Sequence, residues 1–398
     1  MARVHVSKLK REPSPTDRPF RVLSLDGGGM RGVYTAAFLD RLCTQQAKIN
    51  GDEQVDLGLG FDLIVGTSTG AIVGSAAAVG CPMSDVVNLY RQHGQKIFPH
   101  RIRGKLSAIY RAMSGRTYIR SGDRALRKAL GEVLKTTTLS EVFHKRGISM
   151  CVPTVRMSTH RAWVFKKTPV SGVRDDDYSL VDICMASSAA PIYRSLAAIT
   201  APGSNGEEKQ IFADGGLWAN NPIMVAMTDA LAIAPSDRPI EIYSLGTCPR
   251  PEGEHIAGKA VHRSLLEWSL GADVGPLSIS AQEFAYDNIA RLLATQISKN
   301  GREIETVRFP RKDVPASMMP YLALDDTREE AINRLIEQAH SDADMTRSAC
   351  DDSRDPKGKR IKAMLGDLPS LDQSKVLVNP TSSSPPQHKH KSKGQENV

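Results

Sequence analysis

Apolar positions along this chain fall into short unbroken runs separated by longer amphipathic stretches. Six runs read as strands: FRVLSL (20–25), FDLIVG (61–66), ISMCVPTV (148–155), RAWVFKK (161–167), QIFAD (210–214) and IEIYSL (240–245). Near-continuous apolar runs of this length suit strands buried on both faces. Between them lie helical patterns such as VYTAAFLDRLCTQQAK. The alternation predicts an α/β fold, a buried and largely parallel sheet with helices on both faces. The later part is more helical, with 264–296 and 327–340 placed around one strand, ETVRFP (305–310). The organisation expected is a flexible leader over 1–19, a core over 20–245, a helical extension over 246–350 packed on that core, and a flexible basic tail over 351–398. No internal repeat is visible.

Composition adds little to this picture. At 398 residues, 40% hydrophobic and 24% charged, the chain can bury a large core in the manner of an ordinary soluble protein. No run of 18 or more apolar residues occurs, and the basic N-terminus lacks the apolar centre of a signal peptide, so a cytoplasmic location is expected. The six cysteines show no C-x-x-C spacing, which suggests neither a zinc site nor a disulfide framework. They read as small buried hydrophobes, and neither a metal nor a cofactor is expected.

Charge changes the picture more. The net charge of +8 favours an anionic partner, whether phospholipid head groups, nucleotides or nucleic acid. Between Arg101 and Lys128 nine cations (Arg101, Arg103, Lys105, Arg111, Arg116, Arg120, Arg124, Arg127 and Lys128) face one acid, Asp123. Ile102, Leu106, Ile109, Tyr110 and Met113 are interleaved with them. Two readings stand side by side: a solvated helical face over a core seam, or a surface that meets anionic lipid or a phosphate-bearing ligand.

Candidate chemistry begins at SLDGGGMRG (24–32), a nearly bare backbone between the first strand and the first helix. Gly27, Gly29 and Gly32 satisfy G-x-G-x-x-G, which suggests a pyrophosphate site. That reading also requires an acidic residue closing a second strand about 20 positions on. Here Asp52 and Glu53 lie in the polar stretch INGDEQ, before any strand begins.

A second glycine cluster, Gly66-Thr67-Ser68-Thr69-Gly70, follows FDLIV and opens the small-residue helix TGAIVGSAAAVG. It is G-x-S-x-G on a strand-to-helix turn, where Ser68 projects above the sheet and the glycines relieve crowding. Its alternative is a turn in which Ser68 only caps the next helix. A nucleophilic serine needs donors for an oxyanion, and the amides of Gly27, Gly28 and Gly29 can supply them, aided by the dipole of the following helix. For a proton acceptor, Asp214 stands at the end of QIFAD before Gly215 and Gly216, unless it is simply a turn residue.

Taken together, the three pieces resemble the patatin-like phospholipases from about Phe20 to Leu245. The matches are Asp26-Gly27-Gly28-Gly29-Met30-Arg31-Gly32, the serine elbow Gly66 to Gly70, and Asp214-Gly215-Gly216. The resemblance implies a three-layer α/β/α fold and a lipid acyl hydrolase of phospholipase A type using a Ser-Asp dyad without histidine, with Ser68 as nucleophile and Asp214 as base. It implies an oxyanion loop at 27–29, loop-fixing work for Arg31, and packing under the site for Met185 to Pro191. It also extends to bacterial patatin-like effectors that cyclic nucleotides switch on in antiphage defence. Implied partners are a phospholipid membrane surface engaged peripherally from its inner face, a cyclic dinucleotide activator and a homo-oligomer, but no nucleic acid. Two other readings compete: a Ser-His-Asp hydrolase using His255 or His262, and a non-catalytic module holding a nucleotide on the glycine loop.

Overall fold

The computed structural model describes residues 18–377, apart from 99–103, 205–207, 249–255, 257, 265–267, 269–273 and 311–313. The first half comprises β1 (Phe20–Leu25), α1 (Gly32–Asn50), β2 (Leu63–Gly66), α2 (Thr69–Ala78), α3 (Met83–Ile97), α4 (Gly104–Leu134) and α5 (Leu139–Arg146). The hairpin β3 (Ser149–Arg156) and β4 (Arg161–Lys167) follows, then α6 (Leu180–Ser187), β5 (Ala197–Thr200), β6 (Lys209–Asp214), α7 (Gly216–Ala219), α8 (Ile223–Ile233) and β7 (Ile240–Leu245). The chain continues through α9 (Val274–Lys299), β8 (Ile304–Phe309), α10 (Glu329–Asp351) and α11 (Pro356–Gly366).

Among the described residues, eight strands share one sheet in the order β5-β6-β3-β2-β1-β7-β8, with β4 paired to β3 off that path. The β2, β1, β7 and β8 pairings, and that of β2 with β3, are parallel, while β3–β4, β3–β6 and β5–β6 are antiparallel. Alternate side chains along β1, β2 and β7 feed two cores. Phe20, Val22, Leu63, Val65, Ile240 and Ile242 pack under α8 and α9, whereas Leu23, Leu25, Ile64, Tyr243 and Leu245 pack on the side of α1, α2, α6 and α10. The result is a sheet between two helical layers, as the unbroken apolar runs predict.

Register explains where the site forms. Leu25 pairs with both Gly66 and Leu245, so β1, β2 and β7 end level and their following loops lie side by side. Strand β3 outruns β2, because Val65 pairs with Cys151 while β3 continues to Arg156. Into the space past the end of β2 runs β6, antiparallel, with Asp214 opposite Thr154. Two distant segments therefore meet just beyond the end of β2.

One strand was missed and three expectations need correction. The antiparallel edge strand β5 was not legible, because AAIT is short and half of it is exposed. Strand β8, assigned to a helical extension packed on the core, pairs with β7 in the core's own sheet. The flexible tail does not begin at Asp351, since α11 follows and buries Ile361, Met364 and Leu365 in the core. At the other end, the last leader residue but one is anchored: the Arg18 guanidinium bonds to Asp62 at 2.8 Å. Residues 1–17 and 378–398 lie outside the described part of the chain.

Candidate active site

Only Thr67 and Ser68 separate β2 from α2, and the tightness shows in the backbone. Ser68 has φ 55° and ψ −118°, a conformation that costs on the order of 1–3 kcal/mol for a residue with a side chain. A Cβ at Gly66 would strike the carbonyl of Gly70, and one at Gly70 the carbonyls of Leu25 and Asp26, so the turn closes only with glycine at both places. The Ser68 side chain does not cap α2. Its Oγ donates instead to Asp214 Oδ2 at 2.9 Å. The Ser68 amide donates to Ser187 Oγ at 2.8 Å, and that hydroxyl donates in turn to the Pro153 carbonyl at 2.8 Å.

Asp214 is fixed from three directions. Its Oδ1 accepts from the Gly216 amide at 2.6 Å, its Oδ2 from Ser68, and its own amide donates to the Ala189 carbonyl at 3.0 Å. The neighbouring Gly215 amide donates to the Ser187 carbonyl. The end of α6 thus ties the serine turn to the aspartate strand. Burial pushes the Asp214 carboxyl up to about 6, an effect that the Gly216 amide, the Ser68 hydroxyl and Arg194 only partly offset. Arg194, itself buried, pairs with Asp123 at 2.7 Å.

The glycine loop is held less symmetrically than its sequence suggests. The Gly27 amide donates to the Asn220 carbonyl at 2.9 Å, while the Gly27 carbonyl accepts from Asn220 Nδ2 at 3.2 Å and Thr247 Oγ1 at 3.1 Å. This corrects the expectation that all three amides serve one anion, because the Gly27 amide is committed to the fold. Among the described residues, the amides of Gly28, Gly29 and Thr69 have no protein acceptor. Asn220 is gripped in turn by α9, whose Gln282 accepts from its amide at 3.0 Å and whose Glu283 accepts from its side chain. Burial beside Asp26 raises the Glu283 carboxyl. Asp26 pairs with Arg308 of β8, which also donates to Ser244 Oγ at 2.7 Å, and Arg31 donates to the Cys248 carbonyl at 3.2 Å. Gly32 lies against Thr69 and Tyr90.

The other sequence candidates fall elsewhere. His262 is exposed and His255 lies outside the described residues, while the Ser68–Asp214 bond is direct. Of the basic run, Arg101 and Arg103 and the side chains of Lys105, Arg111 and Arg116 lie outside the described residues. Arg120, Arg124, Arg127 and Lys128 are exposed on α4 over the buried Leu126, Ala129 and Leu130, the pattern of a solvated face above a core seam. Sequence reasoning missed four contributors: Ser187, read as packing; Asn220, only six residues past Asp214; the Thr69 amide; and Glu283. The ANNP that follows D-G-G was the one available signal, since a side-chain amide there needs partners.

Likeness to known proteins bears on this site. The model of the family described as patatin-like phospholipase matches residues 23–227. The chain is 30% identical over 331 residues to a cGAMP-activated phospholipase of Pseudomonas aeruginosa, covering 81% of this chain and 90% of that one. It is 31% identical over 268 residues to a cUMP-AMP-activated phospholipase of Escherichia coli (64% and 74% covered), and 28% identical over 303 residues to Patatin-like protein 1 of Arabidopsis thaliana (70% and 71%).

Proposed function

The chain belongs to the patatin-like phospholipase family and is a lipid hydrolase; from this premise we propose that it cleaves phospholipid acyl esters through a Ser68–Asp214 dyad and an acyl-serine intermediate. The observation that carries the reading is the 2.9 Å bond from a strained elbow serine to a buried aspartate with no intervening histidine. Asp214 takes the Ser68 proton as Oγ attacks the ester carbonyl, and its raised carboxyl makes it a stronger base than an exposed aspartate. The amides of Gly28, Gly29 and Thr69 supply donors for the oxyanion. Collapse of the tetrahedral species expels the lyso-lipid alcohol, which leaves with the proton that Asp214 received. Water, deprotonated by Asp214, then releases the fatty acid and restores Ser68.

The same proposal includes regulation: a cyclic dinucleotide activates the enzyme in antiviral defence, and the active enzyme works peripherally at the inner face of the membrane, in the cytoplasm and as a homo-oligomer. Two relatives named for activation by cGAMP and cUMP-AMP support the activator. No helix among the described residues is long and apolar enough to cross a membrane, which agrees with approach from one side. Incubating the protein with mixed bacterial phospholipids, with and without cGAMP or cUMP-AMP, tests the whole. Free fatty acid and lyso-lipid should form, more with the activator, and both should vanish in Ser68→Ala and Asp214→Ala. Turnover near wild type in folded Asp214→Ala would overturn the dyad.

A further inference from the structure

Helix α9 turns several of its large apolar residues outward, although Tyr286 and Ile297 pack inward. Phe284 is 79% exposed, Leu277 55%, Leu292 55%, Val274 51% and Ile289 42%. At 3.6 residues per turn these positions fall on one side, with the small Ala281 and Ala285 among them. The opposite side holds Ala290 and Ala294, buried in the core beneath the sheet. A folded protein seldom leaves so many large apolar side chains of one helix in water unless that surface meets something.

Charge on the same helix says what it meets. Of its four charged residues, the two acids are turned inward: Glu283 accepts from Asn220, and Asp287 is half-buried within the field of Arg308. The two that are exposed, Arg291 and Lys299, are both cations. A second copy docked on this face would bring cations toward cations with no acid between them. An anionic lipid surface offers the apolar side chains an acyl boundary and the cations a counter-charge.

We propose that α9 is the bilayer-docking helix, lying on an anionic lipid surface with Leu277, Phe284, Ile289 and Leu292 sunk into the boundary between head groups and acyl chains. The proposal rests on the lipid-hydrolase reading, since a bilayer is where such an enzyme finds its substrate. Position supports it as well. The inner side of α9 grips Asn220, Asn220 holds Gly27, and Gln282 Nε2 also reaches the carbonyl of Leu217, three residues past Asp214. Docking through this face therefore anchors to the lipid the helix that holds Asn220 and, through it, Gly27.

The test uses the full chain and vesicles of phosphatidylethanolamine with phosphatidylglycerol. Wild type and the double variant F284S/L292S are compared by vesicle co-sedimentation, by hydrolysis of a water-soluble short-chain ester, and by light scattering. Partition should fall by about tenfold or more, because two large apolar side chains no longer enter lipid. Soluble ester hydrolysis should stay within about twofold, since both side chains are largely exposed and neither is a hydrogen-bond partner of Ser68 or Asp214. Unchanged partition overturns the proposal, and so does a smaller assembly state with partition intact, which would assign the face to a second copy. A second variant, Phe284→Trp, keeps the surface whole; its emission should shift to the blue on vesicles, and an unshifted spectrum overturns the proposal independently of any folding defect in the double variant. Failure of wild type to hydrolyse the soluble ester would instead sink the acyl-hydrolase reading, leaving the partition result to decide docking on its own.

Discussion

At the scale of single residues, Asp214 carries the sharpest consequence. Burial raises its carboxyl to about 6, so the base form predominates only above that pH. On soluble ester, kcat/KM should climb through about pH 6 and level off above it, as a pH–rate profile will show. Stability runs the other way. A carboxyl whose folded value lies above its unfolded value of 3.8 binds more protons when folded, so its contribution is full below about pH 4 and is lost as pH rises through about 6. Asp214→Asn has no charge to bury and keeps a side chain able to meet Gly216 and Ser68. It should therefore be inactive yet more stable than wild type at pH 8, by on the order of 2–3 kcal/mol, with the gap closing toward pH 4. Denaturant unfolding at the two pH values measures this, and equal stability at pH 8 would mean that Asp214 is not desolvated. Ser68 and Asp214 themselves were legible as residue types beside glycine at strand ends. Their 146-residue separation was not, since only the antiparallel arrival of β6 past the end of β2 brings them together.

At the scale of elements, the glycine loop works because other segments clamp it. Asn220 and Thr247 hold Gly27 from two sides, and Gly28 packs so closely on Thr247 that a Cβ there would overlap the threonine side chain. Gly29 adds a left-handed φ of 56°. Gly28→Ala must then displace either the loop or Thr247, and with it the amides of Gly28 and Gly29. We expect kcat to fall about 100-fold or more, the usual cost of losing one oxyanion donor, with KM changed little. Steady-state kinetics on a soluble ester decides it: an undiminished kcat would move the oxyanion donors to Thr69 and other groups. The D-G-G-G run announced a backbone site in the sequence, but not which amides are spent. That depends on Asn220, Thr247 and Leu324, whose carbonyl takes the Met30 amide at 2.8 Å, and these lie at the ends of other elements. The plainest strands in the sequence, β1, β2 and β7, are buried along their whole length, while the half-exposed β4 was read from its β-branched and aromatic residues. The four-residue β5, half-exposed at the sheet edge, offered no such run.

At the scale of the whole molecule, the C-terminal part is structural, where its composition suggested a loose tail. Lys, Asp and Ser dominate the sequence after Asp351 because α11 shows only a narrow apolar stripe to the core. That stripe is nonetheless complete: Ile361, Met364, Leu365 and Leu368 are all buried. Polar ties secure it to five distant residues. Arg360 bonds to Glu241 of β7 at 2.9 Å and to Glu303 at 2.7 Å, and Asp367 pairs with the buried Arg21 of β1 at 2.7 Å. The Pro369 carbonyl takes the Asp56 amide, and the Lys375 carbonyl accepts from Arg146, whose guanidinium is paired with Asp56 in full burial. Each large apolar side chain so buried contributes about 1.5–3 kcal/mol, and together they rival the 5–15 kcal/mol by which a folded domain typically exceeds its unfolded state. Ending the chain at Asp351 removes all four apolar side chains and strips Asp367 from Arg21 and Arg360 from Glu241, so that these two buried charges keep only their own 3.6 Å pairing and the Tyr243 hydroxyl. The truncated chain should be insoluble or unfold at least about 10 °C below the full chain, although no residue of the Ser68 site is touched. Thermal unfolding followed by circular dichroism measures the difference, and an unchanged midpoint would return residues 351–377 to the flexible tail that their composition describes.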